Sequence, residues 1–99
     1  MLIIAGHFDV DPAERDQYIR DRQDGTKRSR AEDGCLTYAF SPDPLEPGRV
    51  LLYERWESKE ALAAHIAGLR NGPRPANSIK PISSEVLQYE ISNVGQPGT

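Results

Sequence analysis

Two imidazoles, His7 and His65, are the side chains here whose ordinary pKa lies nearest neutrality, so proton transfer is the chemistry to look for. With an unperturbed pKa of about 6.5, His65 could take up a proton near pH 7. Its other reading is an interfacial ring bonded to a backbone carbonyl or to Glu54. Glu54 stands two residues before Trp56, which places both on one strand face. Buried beside His65, Glu54 would raise the ring's pKa and fix its orientation; exposed, it would be an ordinary strand charge. Cys35 has no evident base beside it, so nucleophilic chemistry is not expected. Gly-rich phosphate loops, paired catalytic carboxylates and Ser-His-Asp spacing are absent. One cysteine and two histidines also exclude an all-His/Cys metal cage, and no metal is expected.

The frame for these residues is small. Ninety-nine residues, 37% hydrophobic and 27% charged, with mean hydropathy −0.61, make one polar domain. A chain this size buries only part of its surface and gains from dimerising. Twelve Lys/Arg against fifteen Asp/Glu leave net charge −3, which argues against nucleic acid as a partner. No apolar run approaches a membrane span, and Met1–Ala5 is too short for a signal-peptide core. The lone cysteine fits a reducing compartment, so a cytoplasmic location is expected.

Alternation predicts a first strand over Leu2–Val10, with Leu2, Ile4, Phe8 and Val10 on one face and Ile3, Ala5 and His7 on the other. Asp11-Pro12-Ala13-Glu14 reads as a helix start, with Asp11 as N-cap and Pro12 at the first position. The helix is expected to run to about Asp33, with Gly25 as a bend and Gly34 as its stop. Cys35–Ser41 alternates again, Leu36, Tyr38 and Phe40 opposing Cys35, Thr37 and Ala39. A Pro/Gly-rich turn joins it to a strand over Arg49–Trp56. Ser58 caps a helix over Lys59–Arg70, a turn around Asn77–Lys80 is a candidate, and Ser84–Val94 is the last strand. The domain is expected to span 1–94, with 95–99 a frayed tail. The order β-α-β-β-α-β is that of a ferredoxin-like α+β fold with an antiparallel sheet. Because helices cover one face, the face bearing Ile3, Ala5 and His7 is expected to pack on a second copy and enclose the functional cavity.

The run Tyr53-Glu54-Arg55-Trp56-Glu57-Ser58-Lys59-Glu60-Ala61-Leu62-Ala63-Ala64-His65 resembles the antibiotic-biosynthesis monooxygenase family, in which Glu-x-Trp-Glu-Ser leads into a helix carrying Ala-Leu-x-x-His. Ala5-Gly6-His7-Phe8-Asp9-Val10 and Asp33-Gly34-Cys35-Leu36-Thr37-Tyr38 resemble it too, so the likeness covers about positions 1–92. It implies a dimeric α+β barrel that oxidises quinol- or anthrone-type aromatics with O₂ and no cofactor. It also implies roles for particular residues. Trp56 would stack on a flat substrate, or else be a core residue. Tyr38 matches a ligand-contacting tyrosine, or else packs in its hairpin. His65 falls at the helical histidine and His7 at a first-strand pocket position. Arg70 stands where many members carry a second histidine; it would bind an oxyanion or simply complement the helix dipole. Leu52 replaces the asparagine of the anthrone branch. Positions 66–99 hold no histidine for haem ligation, so haem degradation is not expected.

Two other classes fit the same residues: an isomerase or lyase in which a histidine only moves a proton, and a dimer that holds a metabolite without turning it over.

Overall fold

The computed structural model describes residues 1–72 and 78–99. Four strands, β1 (Leu2–Asp9), β2 (Cys35–Pro42), β3 (Arg49–Trp56) and β4 (Ser83–Glu90), form one antiparallel sheet in the order β2-β3-β1-β4. Helices α1 (Arg15–Asp21), α2 (Gln23–Arg30) and α3 (Lys59–Asn71) complete the ferredoxin-like α+β arrangement. No helix among the described residues is long and apolar enough to cross a membrane.

Pairing of β1 with β3 sets Leu2 opposite Trp56 and Ile4 opposite Glu54, so these four share the helix-covered face. Beneath the helices lie two packed groups. Leu2, Tyr38, Trp56 and Leu62 form one, while Val10, Tyr18 and Val50 form the other. Phe40 touches both.

Local chemistry departs from the expected elements at four places. The first helix is not continuous to Asp33. Asp11 accepts a hydrogen bond from Ala13 N (2.9 Å) and starts a 3₁₀ turn over Pro12–Glu14, after which α1 begins. The break then falls at Arg22, and Gly25 lies inside α2. Arg22 lays its guanidinium over the Tyr18 ring, 3.4 Å from the centroid, and donates to the Tyr18 carbonyl at 3.0 Å. That side chain takes the acceptor an α-helix would offer to Arg22 N–H, which bonds Ile19 O at 3.1 Å instead.

In β2 a bulge at Leu36 leaves Cys35 opposite Trp56 and Thr37 opposite Arg55. The extra residue returns Cys35 to the inner face with Tyr38, and Leu36 is exposed. Strict alternation had put Leu36 on the face of Tyr38 and Phe40. The last strand stops at Glu90 because β1, its partner, begins at Leu2. Of the expected turn over Asn77–Lys80, Asn77 lies outside the described residues and Ser78–Lys80 is not helical.

Gly34 ties the two ends of the site together. Its φ of +82° turns the chain into β2, and its carbonyl accepts from Glu57 N at 2.8 Å. A Cβ there would stand 2.5 Å from the Ala61 Cβ, so glycine lets the start of α3 close on this loop. Ser58 caps α3, its Oγ accepting from Ala61 N at 3.1 Å.

Candidate functional site

Beneath α3, three ionisable side chains meet around one ring. His65 is 2% exposed on the inward side of α3. Its Nδ1 lies 2.9 Å from Glu32 Oε1 in the loop after α2, and its Nε2 lies 3.9 Å from Glu54 Oε1 on β3. A carboxylate can only accept, so the short contact assigns the neutral ring's proton to Nδ1 and leaves Nε2 facing Glu54. The two carboxylates thus flank the imidazole from opposite sides.

Glu54 is buried, and the Trp56 indole N–H donates to its Oε1 at 2.9 Å. Burial pushes its carboxyl above the usual value; the Trp56 hydrogen bond opposes the rise, as would a protonated His65. Trp56 has no exposed surface, and its indole lies 4.6 Å from the His65 ring at a 35° tilt. Tyr38 closes the group from β2, edge-on to both rings at 5.4 and 6.5 Å. Burial, helped by the Glu54 charge, raises its phenol to about 12, while a hydrogen bond with the buried Ser29 works the other way. Burial also raises the Cys35 thiol, with the Glu32 and Glu54 charges adding to the effect, so a thiolate is disfavoured.

A cleft of about 280 Å³ opens between α2 and α3 onto this group. Glu32 and His65 line it together with Arg28, Ser29, Gly25 and Gly68. Gly68 has open space where a side chain would begin, so the α3 wall is bare backbone there. The Glu32 side chain is 35% exposed, against 2% for His65. Of the two, the carboxylate is the group a molecule in the cleft would meet.

The structure therefore gathers Glu54, Trp56, Tyr38 and His65, and leaves two expected site residues apart. His7 lies on the opposite face of the sheet, as its alternation predicts. It is 3.6 Å from Asp9, which also binds Arg49 Nε and Ser83 Oγ at 2.9 Å. Arg70 is exposed near the end of α3, and the guanidinium lining the cleft is that of Arg28. This cluster lies between sheet and helices because the β1–β3 register turns Glu54 and Trp56 to the helix side. Glu32, Ser29 and Arg28 escaped sequence reasoning. Glu32 follows the helix with no periodic pattern to mark it, and only the turn at Gly34 brings it under His65.

Known proteins share this framework. The curated relatives include an uncharacterised protein of Synechocystis, sll1783, 33% identical over 65 residues; these are 66% of this chain and 44% of that protein. YcnE of Bacillus subtilis, named as a candidate monooxygenase, is 25% identical over 65 residues, 66% of this chain and 68% of its own. The chain thus spans less than half the length of the first relative. Among solved structures, a Deinococcus radiodurans protein described as an antibiotic biosynthesis monooxygenase candidate superposes with TM-score 0.67 at 22% identity, covering 97% of both chains. Rv0793 of Mycobacterium tuberculosis does so with TM-score 0.68 at 22% identity, covering 96% of this chain and 98% of its own. At that identity the likeness concerns the fold. The family assignment comes from the sequence profile described as antibiotic biosynthesis monooxygenase, which matches residues 1–68 and so takes in β1 through most of α3, including all four clustered residues. With the profile, the fold and the Glu-x-Trp-to-His arrangement in agreement, the chain belongs to the antibiotic biosynthesis monooxygenase family.

Proposed function

We propose that this chain is a monooxygenase that oxidises a quinol- or anthrone-type aromatic with O₂, using the substrate itself as reductant. The observation that carries this reading is a cleft opening onto a histidine clasped by two carboxylates, one buried and one facing the opening. Deprotonation at this group gives a substrate anion, which passes one electron to O₂. The resulting radical pair combines to a peroxide anion, which takes the proton back to become a hydroperoxide and then loses water to leave a carbonyl: one oxygen atom stays in the product and the other departs as water. The protein's part is to take the proton, orient the ring and limit water. Arg28 supplies positive charge beside the developing anion. Trp56, fully enclosed, holds Glu54 and His65 in place, and the ligand sits in the cleft rather than on the indole.

The active form is proposed to be a homodimer packed through the helix-free sheet face. Tyr53, Leu87 and Tyr89 are 41–50% exposed in the single chain, on the same face as Ile3, Ala5 and His7. Leu87→Glu should shift the sedimentation mass from two chains to one; an unchanged mass rules this face out as the contact.

An oxygen electrode charged with naphthoquinols and anthrones, each corrected for autoxidation, tests the activity. Protein-dependent uptake that survives chelator supports the reading. Substrate consumption without oxygen uptake would favour a proton-transfer isomerase or lyase, for which the Glu–His–Glu arrangement is equally suited.

A further inference from the structure

We infer that Glu32, not His65, is the base that takes the proton from a ligand in the cleft, with His65 a positioning residue behind it. The inference rests on the oxygenase reading of the site and assigns the step that starts it. Three geometric facts support it. The Glu32 side chain lines the cleft with about a third of its surface exposed, whereas His65, which also lines it, is 2% exposed. The Nδ1–H of His65 points at Glu32 Oε1 across 2.9 Å, so the one ring proton fixed by a hydrogen bond is spent on the carboxylate. The other ring nitrogen, Nε2, lies 3.9 Å from Glu54 Oε1, on the side of the ring away from Glu32. A ligand hydroxyl entering between α2 and α3 therefore meets a carboxylate oxygen before it can meet a free imidazole nitrogen.

The proton balance is simple. The ligand O–H bond breaks, its electron pair stays on the ligand oxygen, and the proton bonds to a Glu32 oxygen. The Nδ1–H bond to the other lone pairs of the same carboxylate keeps it aimed at the cleft. Arg28 from α2 faces the same space and favours both the carboxylate and the new anion. Among the described residues, the other charged or titratable groups around the pair are Glu54 on β3 and Cys35 and Tyr38 on β2.

The test uses the full chain and two substrates of different acidity, naphthoquinol and a dichloro-substituted naphthoquinol that ionises at lower pH. Removing a base matters only while the substrate still carries its proton. Glu32→Gln should therefore lower kcat on naphthoquinol by about 100-fold or more near neutrality, with KM little changed. The deficit should shrink on the dichloro compound and as pH rises through the substrate's own ionisation. Glu32→Asp should recover part of the loss. His65→Gln, whose amide can still donate to Glu32, should lower the rate less than Glu32→Gln does, and its deficit should not depend on substrate acidity. A Glu32→Gln deficit that ignores substrate acidity and pH, or no deficit, overturns the assignment. An acidity-dependent deficit in His65→Gln alone gives the role to the histidine. Wild-type protein that consumes no oxygen with either quinol brings down the oxygenase reading and this role together.

Discussion

The two packed groups beneath the helices do opposite things with the same kind of strand. Where α1 crosses the sheet, Val10, Tyr18 and Val50 meet Phe8, Ile19 and Ile79, and apolar contact accounts for the packing. Where α3 crosses it, an equally buried set built on Leu2, Trp56 and Leu62 encloses Glu54 and His65. Burying a carboxyl and an imidazole costs free energy that the apolar half does not spend. Trp56 limits that cost by being hydrophobic mass and hydrogen-bond donor at once. The contrast teaches that one half of the core maintains the fold, while the other holds a polar group in place for a use beyond folding.

Truncation separates the halves most strongly. Trp56→Ala should destabilise the chain by roughly 3–5 kcal/mol in urea unfolding, beyond the about 2 kcal/mol expected for Val50→Ala. Equal losses would erase the distinction. Trp56→Phe isolates the polar contribution, since it keeps a ring but withdraws the donor to Glu54. It should cost about 1–3 kcal/mol, and a double-mutant cycle with Glu54→Met should show coupling. Additive effects would mean the indole acts by bulk alone.

Acidity sharpens the contrast further. Burial holds the Glu54 carboxyl above its ordinary 4.5, so the folded chain binds that proton more tightly than the unfolded chain does. The resulting stabilisation is full below the ordinary value and is lost as pH rises through the folded-state pKa. Glu54→Gln keeps an oxygen for the Trp56 N–H without the charge. Its urea midpoint relative to wild type should therefore rise as pH climbs above the ordinary carboxylate value, and a flat difference would show that Glu54 feels no net burial. Tyr38 extends the same sign to alkali: stability should fall as pH rises from 10 through about 12, and Tyr38→Phe should flatten that descent. The smallest expected effect concerns the cleft wall. Gly68→Ala meets open space and should add about 0.5–1 kcal/mol to helix stability, while narrowing the opening enough to raise KM for a two-ring quinol.

Much of this was legible in the residues. The strand order followed from alternation and turn chemistry, and the Glu54–Trp56 pairing on one face from a spacing of two. The meeting of Glu54 with His65, left open by spacing, needed the approach of α3 to β3. What could not be read were features set by side chains acting on the backbone or by contacts distant in sequence. The break at Arg22 depends on its guanidinium capturing the Tyr18 carbonyl, which no helix propensity encodes. The bulge at Leu36 cancels the alternation that put this leucine on the face of Tyr38 and Phe40. Glu32 reaches His65 across 33 positions through a glycine turn, so nothing local distinguishes it from a solvated charge. Alternation placed His7 correctly, on the sheet face opposite the Glu54–Trp56 cluster.

The interruption at Arg22 has a consequence for how this scaffold can change. It divides the first crossover into an anchor, α1, which sinks Tyr18 into the apolar half, and a panel, α2, whose only buried residue is Ser29. Substitutions over Gln23–Arg28 can recut the cleft wall without touching the anchor. A lineage, or an engineer, could then exchange one ligand for another by rewriting two helical turns while the rest of the chain stays as it is.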